Sequence, residues 1–240
     1  MQNLIKIIAK NPDLIRIDNY KEKTSKKKYE RALQYDRLLE VAREYALFAK
    51  DIPLWRVDAH TIEQNFSFGI KIAREIRLRT EDAGILFNEH LPKFFEGGNI
   101  GFFVSGLYHE SIKNCDSLKL DLTVFKVSIS GLGYRHPAGR LEITGDKVYY
   151  LGMQMKGGEI HVFGNTGNHI GGEMKGGIIT IHGNTRNFVG EKMQEGAIVI
   201  KGNVLDVIGI KMLGGEIIIE GKAGQWIGAA AKGGKITFSQ

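Results

Sequence analysis

The sequence predicts a mainly β protein, in which a right-handed parallel β-helix of 19-residue coils follows a helical N-terminal domain. Glycine is rare before residue 96 and frequent after it, with 31 glycines in the 240 residues. From residue 138 onward, five consecutive units repeat without an insertion, and a partial unit follows them. Such repeats are typical of solenoids, in which each unit buries its apolar side against its neighbours.

The change of composition divides the chain into two predicted domains. Residues 1–96 form a helical N-terminal domain that caps the first coil, and residues 97–240 form the β-helix domain, with regular coils over 138–240. Upstream of the regular coils, two runs that end in glycine, 97–106 and 126–131, predict strands of one or two irregular coils.

Apolar residues recur at helical spacing in three parts of the N-terminal domain. The first predicted helix covers residues 27–50 and stops before Pro53. The second covers residues 61–79. The third covers residues 80–95, begins with an acidic first turn and is broken at Pro92.

Each repeat carries three glycines at fixed offsets. The three columns begin at Gly139, Gly145 and Gly152 and recur every 19 residues. A glycine column indicates a backbone position that needs a positive φ or has no room for a Cβ atom. The glycines are therefore explained by the coil itself.

Apolar residues between the first two glycine columns alternate with period two, beginning with Leu141 and Ile143, and this alternation predicts strands. A second apolar column begins at Leu151 and a methionine column at Met155. When coils stack at about 4.8 Å, like residues align into continuous core ladders. An asparagine column also predicts hydrogen bonds along the stack, and its members are Asn165, Asn184 and Asn203.

The pattern GGxIxVxGNxGxxxGxxMxGG resembles the GXGXG domain that ends the large subunit of glutamate synthase and makes up most of one component of formylmethanofuran dehydrogenase. The resemblance covers residues 138–240 and does not extend to residues 1–95. It implies a domain that organises catalytic domains and does not itself catalyse a reaction. The glutaminase and FMN-binding parts of glutamate synthase are not present, and Met1-Gln2 stands where the glutaminase needs a cysteine.

No nucleotide or other cofactor site is predicted. The nearest approach to a phosphate-binding loop, residues 215–223, has one residue too many between its glycines and alanine where Ser or Thr should bind magnesium. No GxGxxG motif stands between a strand and a helix.

Three histidines are candidate metal ligands. His161 and His182 lie on the outward side of adjacent predicted strands, within a diagonal reach of about 7 Å. His169 falls in a different column of bulky residues, whose members are Tyr150, His169, Phe188, Val207 and Trp226. A metal site would need a third ligand, which the sequence does not offer, so we predict no metal.

No catalytic residue is predicted. Cys115, the only cysteine, lies in a polar segment without a neighbouring histidine and is interpreted as a free structural thiol. The acidic residues of the repeat occupy surface offsets and are interpreted as solvated. These residues are Glu142, Glu159, Glu173, Glu191 and Glu216.

Composition excludes several other classes. The net charge is +6, but acidic and basic residues are interleaved, which disfavours a nucleic-acid groove. No apolar stretch is long enough to span a membrane, and Lys6 interrupts the apolar run that a signal peptide would need. A single cysteine fits the reducing cytoplasm, where we expect the protein to reside.

The sequence favours a noncatalytic scaffold or subunit-interaction protein built on a β-helix like the C-terminal domain of glutamate synthase. The alternative is an accessory subunit of a redox enzyme complex resembling glutamate synthase or formylmethanofuran dehydrogenase. Both imply protein partners or self-association, as a homo-oligomer or as a subunit of a larger complex. A third possibility, a carbohydrate or small-ligand site in a groove of the β-helix, would show exposed aromatic residues in line. It ranks last, because Phe163 stands alone among aromatic residues on the predicted outward strand face.

The last coil is predicted to need a cover. The helical domain can cap only one end, and residues 235–240 form a strand without an obvious cap. We expect this strand either to pair with a second copy or to be covered by the helical domain. Ala229, Ala230 and Ala231 replace bulkier residues of earlier coils, which permits the close approach of such a cover.

Overall fold

The structure is a computed structural model that describes residues 22–53, 55–113 and 116–239. It is mainly β, with a parallel β-solenoid of about six turns and a helical N-terminal region. This confirms the coarse fold prediction. Within the described ranges, no helix has both the length and the apolar character needed to cross a lipid bilayer.

The N-terminal region contains four α-helices and two other helical segments among the described residues. The α-helices are α1 Glu22–Ala49, α2 Ala59–Ile76, α3 Thr80–Ile85 and α4 Ile100–Tyr108. A π-helix, Leu86–His90, and a 3₁₀-helix, Leu91–Lys93, follow α3 directly.

Nine strands follow in the described part of the chain. They are β1 Ser117–Asp121, β2 Ile129–Ser130, β3 Arg140–Thr144, β4 Val148–Tyr149, β5 Glu159–Phe163, β6 Lys175–Ile181, β7 Glu195–Ile200, β8 Glu216–Ile219 and β9 Lys235–Phe238. A 3₁₀-helix, Leu122–Val124, follows β1.

The strands form one long parallel sheet and one short one. The long sheet has the order β1-β3-β5-β6-β7-β8-β9, and β2 pairs with β4 in the short sheet. Each coil places its strand beside the equivalent strand of the next coil, so that Leu141 lies opposite Ile160 and Ile179 opposite Ile198. The inward strand residues of β3, β5, β6, β7 and β8 and the methionine column are buried, as the sequence predicted, whereas Ile236 and Phe238 of β9 are partly exposed. Examples are Leu141, Ile160, Ile179, Ile198, Ile217, Met155, Met174 and Met193.

Glycine is required in the third glycine column, which begins at Gly152. Gly190 has a φ of 65°, and a Cβ atom there would lie 2.5 Å from Cδ1 of Ile217, 27 residues further along the chain. The inward strand isoleucine therefore reaches across the core and packs directly on this glycine. A side chain at this column would push adjacent coils apart.

Helices α1, α2 and α4 form the core of the N-terminal region. The Tyr45 ring of α1 stacks on Phe103 of α4 at 3.8 Å between centroids, and its hydroxyl donates to Oδ1 of Asn65 at 2.6 Å. Burial of Tyr45 raises the pKa of its hydroxyl. Helices α2 and α4 approach so closely that a Cβ atom at Gly69 or Gly106 would overlap the backbone of the other helix.

The predicted helix bounds need small corrections at α1 and α2. Helix α1, predicted over 27–50, begins earlier, at Glu22. Helix α2, predicted over 61–79, ends at Ile76, because Arg77 adopts a φ of 51° and ends the helix. Helix α2 also begins earlier, since the Asp58 side chain accepts a hydrogen bond from the backbone N–H of Thr61 and caps it.

The third predicted helix, 80–95, is only partly α-helical. Asp82, in its acidic first turn, accepts a hydrogen bond of 3.0 Å from the backbone N–H of Arg79 and so caps the start of the helix. The helical path then widens over Leu86–His90 and tightens around Pro92, which cannot donate a backbone hydrogen bond. At the predicted break, the chain thus changes from a π-helix to a 3₁₀-helix that contains Pro92.

The strand predicted over 97–106 is wrong, because this segment contains helix α4. All nine residues of α4 are buried. A short apolar run without polar interruption does not distinguish a buried strand from a buried helix, and the contact of Gly106 with α2 is not visible in the sequence. The other early prediction, 126–131, contains the short strand β2.

The helical region meets the solenoid at its first coils. Helix α3 contacts β1, and α4 contacts β2. The ring of Phe102 lies directly on Gly131, whose φ is 89° and where any Cβ atom would overlap the ring. One corner of the solenoid is therefore shaped to receive a helix.

Gly106→Ala should destabilise the protein by about 3 kcal/mol, because the added methyl must separate α2 from α4. Urea unfolding followed by circular dichroism would measure this. Gly172→Ala is the matched control, since its Cβ atom would meet nothing closer than 3.8 Å, and this substitution should have little effect. Equal losses for the two variants would contradict the close helix contact.

Acid should weaken the contact between the helical region and the solenoid through His136, whose ring centroid lies 5.9 Å from that of Tyr108 in α4. Burial lowers the pKa of His136 to about 4, from 6.5. Between these values the unfolded chain binds a proton that the folded chain does not, so stability is full above pH 6.5 and falls as the pH drops toward 4. The loss should reach about 3 kcal/mol.

Unfolding free energies of the wild type and His136→Gln across this pH range would test the effect. The variant should lose that part of the pH dependence, whereas removal of the exposed His60 by His60→Gln should keep it. If the unfolding free energies of wild type and His136→Gln changed with pH in the same way, His136 would not be the source of the acid sensitivity.

Candidate interaction surface

The outward face of the long sheet is a flat strip that runs along the solenoid. Strand register aligns its central row, one residue per coil. The row contains, in order, Glu142, His161, Thr180, Val199, Ile218 and Thr237. Its chemistry changes along the axis from charged to apolar.

The first part of the strip is polar and internally paired. Lys119 lies 3.2 Å from Glu142, and Arg140 lies 2.8 Å from Glu159. Glu159 also contacts His161, whose Nε2 lies 3.1 Å from Oε2 of the carboxylate. The hydrogen bonds from His161 and Arg140 lower the pKa of this carboxyl. Exposed ion pairs of this kind contribute at most about 1 kcal/mol each, and water can solvate this part of the face.

The second part of the strip, over β6, β7 and β8, has four apolar outward residues beside Thr180 and Glu216. The apolar residues are Ile178, Ala197, Val199 and Ile218, and Ile178 is 43% exposed. Strands β7 and β8 therefore contain runs of consecutive apolar residues, 197–200 and 217–219. Such runs are typical of parallel sheets that are covered on both faces.

An aromatic pair marks the border between the two parts. The His182 ring stacks on Phe163 at 4.5 Å, and His161 lies 6.4 Å from His182. The proximity predicted for the two histidines is present. Within the described ranges, no group of three or more His, Cys, Asp or Glu side chains could hold a metal ion.

The remaining acidic residues of the repeat form ion pairs along the stack. Glu216 lies 3.2 Å from Lys235, and Lys192 lies 3.7 Å from Glu173 and 4.0 Å from Glu191. The pairs of Glu173 and Glu216 join adjacent coils, whereas Lys192 is the chain neighbour of Glu191, which contacts the previous coil at His169, 3.8 Å away. Cys115, the interpreted free thiol, lies outside the described residues.

The column that contains His169 forms a stacked ladder at a corner of the coil. The His169 ring lies 4.6 Å from both Tyr150 and Phe188, at interplanar angles of 7° and 6°. Tyr150, His169 and Phe188 all have a positive φ. Their stacked faces are occupied by one another, so the ladder presents mainly ring edges to solvent.

Asparagine side chains join successive coils, as the sequence predicted. The backbone N–H of Asn184 donates to Oδ1 of Asn165, and that of Asn203 donates to Oδ1 of Asn184, both at 2.8 Å. The sequence did not predict a second ladder, in which the N–H of Asn187 donates to Asn168 and that of Asp206 donates to Asn187. Its column mixes Asn with Asp, which conceals it in the sequence.

The last described coil leaves apolar side chains exposed. Trp226 is 68% exposed, and Ile227 and Phe238 are each 43% exposed. Ile227 belongs to a column that is buried in every earlier coil, and β9 pairs on one side only, with β8. The expected pairing of this end with a second copy stays a prediction.

No protein-family model matches the sequence, and no curated protein matches it either. The fold and its surface therefore define the class: a parallel β-solenoid with a helical N-terminal region and a half-apolar outer sheet face. The signal for that face is present in the sequence, in runs such as Ala197-Ile198-Val199-Ile200. From the sequence alone, such a run predicts only a strand whose alternate residues face the core.

Asn184→Ala should lower the unfolding free energy by about 1 kcal/mol, because the N–H of Asn203 loses its acceptor. Asn184→Asp keeps an acceptor oxygen and serves as the matched control. Amide hydrogen exchange at Asn203 should be faster in the alanine variant than in the aspartate variant. The same exchange rate in both would exclude a role for the side-chain oxygen.

Proposed function

We propose that this protein is a noncatalytic scaffold that binds a partner protein through the apolar part of its outer sheet face. The observation that carries the proposal is the outward pair of Val199 and Ile218, both partly exposed, beside the exposed Ile178. The core does not require apolar residues there, since the inward residues alone fill it.

The physical driving force is apolar burial. A flat face of β-branched side chains suits a second sheet, because two sheets pack face to face at about 10 Å with interdigitated side chains. Complete burial of one Val or Ile side chain contributes about 1.5–3 kcal/mol. The neighbouring polar part, with its internal ion pairs, would form a hydrated rim.

We assign no reaction to this surface. Its charged groups, Glu142, Arg140 and Glu159, are held by partners in adjacent coils. A general acid at neutral pH needs a raised pKa, whereas the hydrogen bonds from His161 and Arg140 lower the pKa of Glu159. We also infer a cytoplasmic location, supported by the single cysteine.

The finer fold assignment belongs to the same proposal. We infer a right-handed solenoid with 19-residue coils, similar to the GXGXG domain. Hydrogen bonds between residues 19 apart, such as Asn165 with Asn184, support the coil length. Parallel strands joined by a crossover in one sheet are right-handed in about 98% of cases, which supports the handedness.

The alternative is an accessory subunit of a redox enzyme complex resembling glutamate synthase or formylmethanofuran dehydrogenase. The same outer face would then contact a catalytic subunit. The resemblance of the repeat over residues 138–240 favours it. A flavin, iron–sulfur or molybdopterin protein held in constant stoichiometry would distinguish this alternative from self-association.

Val199→Lys should weaken complex formation at least tenfold, since it places a charge in the centre of the apolar face. The complex is first defined by affinity isolation of the tagged native protein with mass spectrometry, and by light scattering of the purified chain. His161→Lys is the matched control, because it adds a charge to the same row in the polar part. It should leave the association unchanged.

Two results would contradict the proposal. One is a monodisperse monomer without a stoichiometric partner. The other is a complex that Val199→Lys leaves intact while circular dichroism shows both variants folded.

A further inference from the structure

A cleft lies where the helical region meets the short sheet, away from the strands of the outer face. Its volume is about 630 Å³, which falls within the usual range for small-ligand sites. The side chains that shape it are Trp55, Val57, Val127, Tyr149 and Tyr150. Gly97 and Gly98 contribute backbone.

Backbone pairing builds the floor of the cleft. The N–H of Val127 donates to the carbonyl of Glu96 at 2.9 Å, and the N–H of Gly98 donates to the carbonyl of Ser128 at 2.7 Å. Gly97 has a φ of 149°, and a Cβ atom there would lie 2.6 Å from Cγ2 of Val127. A larger residue at this position would displace the floor.

The backbone on either side of Trp55 and the ring of Tyr149 are held in place before any ligand binds. The buried Asn99 donates from its amide to the carbonyls of Pro53 and Arg56, and so fixes both sides of Trp55. The Tyr149 ring lies directly on Gly167, where any Cβ atom would overlap it. Trp55 is 85% exposed and packs on little of the protein.

The polar groups of the cleft are hydroxyls and one neutralised carboxylate. Ser128, Ser130, Tyr149 and Tyr150 line it, and among the described residues none of their hydroxyls forms a hydrogen bond with another protein group. Glu96 is the one charged group among the described lining residues and lies 2.6 Å from Lys126. The described lining therefore offers no free charge.

We propose that this cleft binds a small neutral saccharide. The apolar C–H face of a sugar ring suits the exposed indole of Trp55, and sugar hydroxyls can both donate to and accept from the Ser and Tyr hydroxyls. Phosphorylated and carboxylated ligands do not fit, since the lining holds no Lys or Arg among the described residues. An acyl chain would leave the hydroxyls without partners and so would bind less well than a sugar.

The chain offers a direct fluorescent reporter for this site. It contains two tryptophans, Trp55 and Trp226, so Trp226→Phe leaves Trp55 as the single indole. Glucose, galactose, N-acetylglucosamine, maltose and cellobiose would each be titrated to about 50 mM, which detects dissociation constants in the millimolar range. At least one sugar should change the Trp55 emission in a saturable way.

Variants then assign the response to the cleft, with binding measured by saturation-transfer NMR. Trp55→Ala should weaken binding at least tenfold, and Tyr149→Phe should weaken it several-fold by removing one hydroxyl. Trp226→Ala is the matched control, because it removes another largely exposed indole that does not line the cleft and should not change the affinity. Trp55 is largely exposed, so its replacement should not unfold the protein.

The proposal is overturned if none of the five sugars gives a saturable response. It is also overturned if binding survives Trp55→Ala, or if the planar compound indole binds in the cleft and the sugars do not. None of these results bears on association through the outer sheet face, which involves other residues.

Discussion

The structure depends on the pairing of each strand with the equivalent strand of the next coil. Parallel pairing requires that every coil present the same outline at the same height, so a residue at one position must fit the residue one coil away. Gly221 and Gly202, one coil apart, show the strictness of this requirement, because a Cβ atom added to Gly221 would overlap the carbonyl oxygen of Gly202. The glycine columns, the buried methionines and the asparagine ladders all follow from it. The outward residues are exempt from it, and they change in chemistry along the axis.

The solenoid could be predicted from the sequence because its constraint repeats. A glycine or methionine that recurs from coil to coil identifies the inward residues and the strand positions. The helical region has no such repetition, and its decisive contacts join residues distant in sequence. The strand prediction at helix α4 is wrong because the burial of this helix depends on Gly106 meeting α2, which an apolar run cannot reveal. The bounds of α2 likewise depend on the capping by Asp58 and on the positive φ of Arg77.

The candidate surfaces are harder to predict than the core for a related reason. The outer face differs from an ordinary solvated strand only in residues such as Val199 and Ile218, which also suit a buried strand. The cleft joins Trp55 to Tyr149, which are far apart in sequence and on different structural elements. The sequence correctly groups the aromatic residues at the corner in a column, but their parallel stacking and positive φ depend on coil geometry. The two proposed binding surfaces thus lie where outward residues differ from coil to coil or where another element joins the solenoid.

Val207 occupies the ladder position after Phe188 with a φ of 61°. A β-branched residue in this left-handed region is strained by about 1–3 kcal/mol, and it offers no ring for its neighbours to stack on. Stacking is therefore interrupted before Trp226. Because a solenoid is stabilised junction by junction, the final coil is held less firmly than those before it. Unfolding should start at that coil and proceed toward the helices, with the outermost strand separating while the rest of the stack remains intact.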